Sequence, residues 1–164
     1  MTMEQAVITW IHLVSAAIWV GGALFIGAVI SPLLKTMTTS VEERLQFMIK
    51  VGRRFNKIAI PSLVILVGTG IYNSSGFLNK PDLLLSSGYG NFLIIKIILV
   101  VALIIAYAVH VRIIRKDIEE KIISKQLSET QVQKLRKKII ILGEVTMVLS
   151  VAVLFMAALL DAGA

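Results

Sequence analysis

Apolar residues along this chain gather into four long runs divided by three polar interruptions. The runs extend from about Gln5 to Leu34, Ile58 to Phe77, Asn91 to Ile114 and Ile139 to Leu160. Each is close to the ~20 residues that a helix needs to cross ~30 Å of hydrocarbon. Only helices or closed barrels satisfy the backbone in lipid, and barrel strands would require alternating apolar and polar positions, which none of the runs has. The pattern predicts an all-α integral membrane protein, a four-helix up-and-down bundle forming a single domain over residues 1–164. The opening "MTMEQA" lacks a basic region and the apolar run continues past the length of a signal-peptide core, so the first helix is expected to remain in the mature protein. No internal repeat or low-complexity segment interrupts this reading.

Two of the interruptions look helical themselves. "SVEERLQFMIKVGRRFNK" opens with Ser40 three residues before Glu43, the spacing of a capping box. It then places Leu45, Met48, Ile49 and Phe55 roughly opposite Arg44, Lys50 and Arg54, an amphipathic helix suited to an anionic leaflet. Further on, Ser128 stands three before Gln131, so the fourth helix is expected to start well outside the membrane. The third helix is expected to run on through "RKDIEEKIISKQ", and the two together form a protruding helical hairpin with a solvated, mixed-charge surface.

Composition agrees with the pattern. Of 164 residues, 57% are hydrophobic and 16% charged, and the mean hydropathy is +0.86, a balance foreign to a small water-soluble domain. The net charge of +7 is a matter of topology. Residues 35–57 carry Lys35, Arg44, Lys50, Arg53, Arg54 and Lys57 against Glu42 and Glu43, and residues 112–138 carry nine basic side chains against four acidic ones. Both loops are expected in the cytoplasm, with the N- and C-termini outside the cell membrane. No aromatic-interleaved basic platform accompanies the charge, so nucleic acid is not an expected partner. There is no cysteine, which removes thiolate metal sites and thiol nucleophiles and leaves Met and His as the soft ligands.

Polar residues inside the runs can be ordered by depth at ~1.5 Å per residue. Lys96 lies roughly 8 Å from the outer end, His12 roughly 10 Å and His110 roughly 28 Å. An outer layer could therefore gather His12, Lys96, Tyr72, Met156 and Asp161. An inner layer would hold His110 and Tyr107 at the level of Glu144 and Met147, with ordinary packing between the layers. Ionisable groups at such depths face the bundle interior or water and take partners. Lys96 has the bland alternative of snorkelling to the headgroups, and a His110–Glu144 pair has that of a structural interhelical hydrogen bond. Ala16, Gly21, Gly22, Ala23 and Gly27, with Gly68 and Gly70, allow the close approach of a backbone or a flat cofactor. Trp10 suits an interfacial belt, whereas Trp19 falls on nearly the same face as His12 and deeper, where it lines the bundle.

Three stretches carry a family resemblance: "WIHLVSAAIWVGGALFIGAVISPLL", "SLVILVGTGIYN" and "FLIIKIILVVALIIAYAVHVRIIRK". In order they resemble the CopD-type copper-resistance membrane domain, with a first-helix His, a W-x-G-G-like turn, a later T-G pair, a Lys entering the next helix and a His near its end. The resemblance covers helices one to three and implies a role for His12, Trp19, Gly21, Gly22, Thr69, Gly70, Lys96 and His110. Larger members have more helices and a periplasmic partner protein. The His-then-tryptophan-then-glycine opening is also similar to that of the HemJ-type membrane protoporphyrinogen oxidases, four-helix proteins associated with haem b, although their aromatic and arginine pattern is not visible in "FIGAVISPLLK".

These resemblances leave three functional expectations. The first is copper handling at the outer layer, by transfer or uptake across the membrane or by supply to a copper-dependent complex. His12 and Met156 would there offer an imidazole and a thioether to a copper ion, a weak or transient site completed by a copper-carrier protein. The second is a haem b protein for electron transfer or porphyrinogen oxidation. His12 and His110 differ by roughly 18 Å in depth, too far to share one macrocycle. The candidates are instead haem on His12, or haem on His110 with Arg53 and Arg54 on its propionates. The third is a cofactor-free accessory subunit that docks partner membrane subunits, with homo-oligomerisation also open. A minor expectation is a proton relay by His110 and Glu144. No P-loop, G-x-S-x-G or H-E-x-x-H motif is present, so the one enzymatic alternative is a haem-dependent oxidoreductase.

Overall fold

In a computed structural model of the chain, which describes residues 2–38 and 40–163, four helices are long and apolar enough to cross a membrane. Helix α1 spans Met3–Met37. Within it, Ala17–Gly21 and Ile26–Ile30 widen into π-helical turns. Helix α2 spans Val41–Leu78, a short α3 spans Pro81–Ser86, α4 spans Gly88–Ile113, α5 spans Lys116–Ile123 and α6 spans Glu129–Asp161. No strand occurs among the described residues. The four-helix all-α architecture expected from the apolar pattern is therefore present, with spans running alternately up and down.

Caps set several of the helix starts. Ser128 forms the full expected box: its Oγ accepts from the Gln131 N–H at 3.3 Å, and the Ser128 N–H donates to Gln131 Oε1 at 2.9 Å. Ser40 forms only half of its box. Its Oγ accepts from the Glu43 N–H, but the Glu43 carboxylate accepts from the Thr38 hydroxyl, and the Ser40 N–H turns to Thr38 Oγ1. A third box, Thr2 with Gln5, starts α1.

The amphipathic segment behaves differently from the expectation of a helix lying on the leaflet. It is helical, but it is continuous with the second span: α2 has 38 residues, which at ~1.5 Å each makes it roughly 57 Å long against a ~30 Å hydrocarbon core. Its apolar face meets protein. Leu45 and Ile49 are buried with Ile114, Ile122, Val132 and Ile139 in a compact core at the end of the bundle that carries the basic loops. The expected run of the third helix through "RKDIEEKIISKQ" is likewise broken at Ile114 and Arg115, where Arg115 is extended. The break lets Ile114 and Ile122 turn back onto that core. Glu119, 6% exposed, is held there by Arg53 Nη1 at 2.5 Å and Lys50 Nζ at 3.7 Å. The mixed charges of the hairpin are in this part an ion pair tying α5 to α2, beyond a merely solvated face.

Within the membrane, α1 packs along α2 and α4 packs along α6, while contacts between the two pairs are few. The pairs meet at Trp19, Val20, Ala59 and Leu103, all buried, with Phe55, Leu63, Leu66, Tyr107 and Leu149 around them. Gly22 makes one of these contacts possible: a Cβ there would stand 2.2 Å from Phe55 Cε2. The flat group against this glycine is thus a side chain of the protein itself. Gly21, by contrast, has nothing within 4 Å of where a Cβ would stand. Gly22→Ala should therefore lower stability by about 1–3 kcal/mol through overpacking, whereas Gly21→Ala should stay within about 0.5 kcal/mol. Thermal unfolding of the two variants side by side in detergent checks this, and equal midpoints would show that the Gly22 contact is not tight.

Candidate functional site

The sparse contact between the helix pairs leaves two cavities, one above the other. The cavity nearer the termini has about 430 Å³ and is lined by His12, Trp19, Gly70, Lys96 and Ser150 among apolar neighbours. The cavity nearer the basic loops has about 400 Å³ and is lined by Trp19, Asn56, Tyr107, His110, Glu144 and Met147, with Lys35, Arg44 and Arg136 toward its basic end. His12 and Lys96 line the first of these spaces, and His110, Tyr107, Glu144 and Met147 line the second, so His12 and His110 do not share one.

His12 is fixed by the neighbouring span. Its Nδ1 lies 2.7 Å from Thr69 Oγ1, and that hydroxyl donates its one proton to the Ile65 carbonyl at 2.6 Å. Thr69 Oγ1 therefore acts as the acceptor, which makes Nδ1–H the donor and leaves Nε2 with a free lone pair. The ring lies beside Gly70, with His12 Cε1 3.5 Å from where a Cβ would stand, an ordinary van der Waals separation. This is the arrangement by which a second helix orients a ligating imidazole. Lys96 lines the same cavity, half-buried.

Trp19 is the wall between the cavities. It is 3% exposed, lines both spaces, and donates its indole N–H to Ser150 Oγ at 3.0 Å. Ser150 in turn donates to the Thr146 carbonyl at 2.7 Å. The Tyr107 ring meets Trp19 edge-on at 4.6 Å and 78°, and its hydroxyl donates to Asn56 Oδ1 at 2.8 Å. One chain of contacts thus links all four spans. Ser150 and Asn56 were not singled out by sequence reasoning. The available signal was a serine four residues after Thr146 in an otherwise apolar run, the spacing at which a hydroxyl bonds back to its own helix and offers its lone pairs sideways.

Other expected members fall elsewhere. Met156 is half-buried on α6 and does not line the His12 cavity, where Val153, Leu154 and Ala157 of that helix stand instead. Tyr72 is exposed and donates its hydroxyl to Glu4 Oε1 at 3.0 Å. Asp161 is exposed at the end of α6. His110 and Glu144 line one cavity, yet no hydrogen bond or ion pair joins them among the described residues. Arg53 is engaged by Glu119, and neither it nor Arg54 lines the cavity of His110. Among the described residues no three His, Asp or Glu side chains converge on one point. Any metal taken here meets few protein donors.

Comparison with known proteins agrees with a metal-related reading. Residues 49–160 match the family described as CopD, copper resistance protein D. The matched segment contains Thr69, Gly70, Lys96, His110 and most of α6, and it begins after His12 and Trp19. The copper transport protein CutJ of Bacillus subtilis (strain 168) is 29% identical over 108 residues, 66% of this chain and 19% of that protein. The chain therefore spans about a fifth of the length of the curated relative it matches. No solved structure matches it.

The Thr69 contact gives a test of the tautomer that is independent of any metal. Thr69→Val keeps the side-chain shape and removes the acceptor, so nitrogen-15 NMR of the histidines should show His12 as the Nδ1–H form in the wild type and a shift toward the Nε2–H form in the variant. The lost interhelical bond should cost about 0.5–1.5 kcal/mol. An unchanged tautomer would mean that Thr69 does not set it.

Proposed function

The chain belongs to the copper resistance protein D family, and from that premise we propose that it passes copper ions through the membrane by way of the His12 cavity. The multi-pass helical architecture and the relative named for copper transport support this reading. The observation that carries it is the His12–Thr69–Ile65 chain, which presents an imidazole lone pair in a cavity between the helix pairs. An imidazole suits copper. Met156 stands outside the lining, so the second donor comes from the incoming carrier rather than from α6. Lys96, which lines the same cavity from α4, opposes retention of a cation, which suits a site that must release its cargo.

On this reading the termini face outward, where a copper carrier delivers the ion, and the basic loops face the cytoplasm by the positive-inside bias. The chain has no cysteine, so single-cysteine labelling reports orientation directly. Lys80→Cys should react with an impermeant maleimide added outside intact cells, and Lys125→Cys only after permeabilisation; the reverse pattern inverts the topology.

Copper binding and copper entry into proteoliposomes test the site. His12→Ala should abolish uptake and the binding that depends on it. Lys96→Leu should slow release and tighten binding by about tenfold, on the order of 1.4 kcal/mol. Uptake that survives His12→Ala removes the proposal. A haem Soret band that is lost in His12→Ala, with iron in place of copper, would replace it by the haem reading.

A further inference from the structure

The cavity nearer the basic loops contains a histidine nitrogen with no visible purpose. His110 Nδ1 is buried and has no hydrogen-bond partner, the one such side-chain atom among the described residues. Polar side-chain atoms buried in protein are satisfied as a rule, so an orphan of this kind asks for a missing partner. In a membrane helix the demand is stronger, because lipid supplies none. Tyr107, one turn away on α4, does not answer it, since its hydroxyl is committed to Asn56. Glu144 shares the cavity but makes no bond to the imidazole.

A thioether lines the same cavity. His110 Cε1 lies 3.5 Å from where a Cβ on Gly143 would be, so the ring rests against that turn of α6. Met147 follows Gly143 by four residues, one turn along the same face. Its Sδ lies 3.4 Å from where a Cβ on Gly27 would stand, between α6 and α1, and Met147 lines the same cavity. The imidazole is thus in contact with Gly143 of α6, and the thioether, carried one turn further along α6, is in contact with Gly27 of α1. Neither group is claimed by the packing core around Trp19. Thioether and imidazole together are soft donors that select Cu(I) over the harder divalent ions.

We propose that His110 and Met147 form a second Cu(I) site, on the far side of Trp19 from His12. The inference rests on the copper reading above and extends it: an ion that leaves His12 has a second station before the basic end of the bundle. Binding there is coordination alone. Nδ1 and Sδ each give a lone pair, the copper remains Cu(I), and no proton or electron is transferred.

Anaerobic titration of the purified chain with Cu(I), against a chromophoric Cu(I) chelator, counts the sites, and X-ray absorption at the copper edge identifies their donors. The wild type should bind two ions per chain and His12→Ala one. In the His12→Ala background the remaining ion should show a sulfur scatterer. Adding Met147→Leu, a substitution close in volume, should remove that scatterer and weaken binding by about tenfold or more; adding His110→Gln should remove the ion. Elution as a single species and an unchanged helical spectrum show that the variants are folded. Copper that depends on His12 alone, with His110→Gln and Met147→Leu without effect, overturns the second site and leaves the first. A remaining ion without sulfur also overturns it. Retention of both ions in His12→Ala would instead overturn the first.

Discussion

The bundle depends on one side chain that crosses from one helix pair to the other. Helices α1 and α2 pack well together, as do α4 and α6, and the pairs touch little. Lipid tails are as apolar as leucine, so apolar burial does little to press the pairs together; packing and interhelical hydrogen bonds must hold them. Trp19 supplies both, with its ring against Tyr107 and its N–H on Ser150. Because the Ser150 proton is spent on its own helix, the hydroxyl must accept, and the indole can only donate. The direction of that bond is therefore fixed, and with it the division of the interior into two cavities.

The π-helical turn at Ala17–Gly21 surrounds this contact. Widening the helix locally shifts the faces of the residues that follow, among them Gly22, which meets Phe55. π-turns of this kind cost hydrogen-bond geometry and are commonly found at functional positions. The polar links on the two sides of Trp19 are different in kind. His12 has its orientation fixed by Thr69 and its other nitrogen free, whereas His110 has only shape to hold it, with Gly143 against its ring. A site held by a hydrogen bond keeps its geometry when empty; one held by packing alone adapts to what enters.

Much of the architecture was legible in the sequence because lipid allows so few solutions. Twenty-odd apolar residues in a row admit a spanning helix and little else, and Ser128 with Gln131 marks a helix start from local chemistry alone. Depth along each helix separated His12 from His110 for the same reason, since rise per residue is fixed. Azimuth is the quantity that a near-uniformly apolar helix hides. Met156 sits at the right level for His12 and turns away from its cavity, and Ser150, which does face Trp19, was passed over. The amphipathic stretch around Leu45 and Ile49 showed its apolar face plainly, but an apolar face does not say whether lipid or protein covers it. Here the turn at Ile114 and Arg115 folds the hairpin back and supplies the cover.

That cover has a consequence for the membrane part. The core of Leu45, Ile49, Ile114, Ile122, Val132 and Ile139 joins α2 to α5 and α6 at the end that carries the basic loops, and the Glu119 pairing with Arg53 adds a directional tie at the same place. Glu119 is nearly buried while Arg53 is about one-third exposed, so the pair fixes position more than it adds stability. The two helix pairs are thus bound at one end by this core and at mid-height by Trp19. Toward the termini the principal polar side-chain links, His12 to Thr69 and Tyr72 to Glu4, join α1 to α2 within one pair. The tie between the pairs at this end is a ring contact instead: Phe77 of α2 stacks on Tyr89 of α4 with centroids 4.2 Å apart.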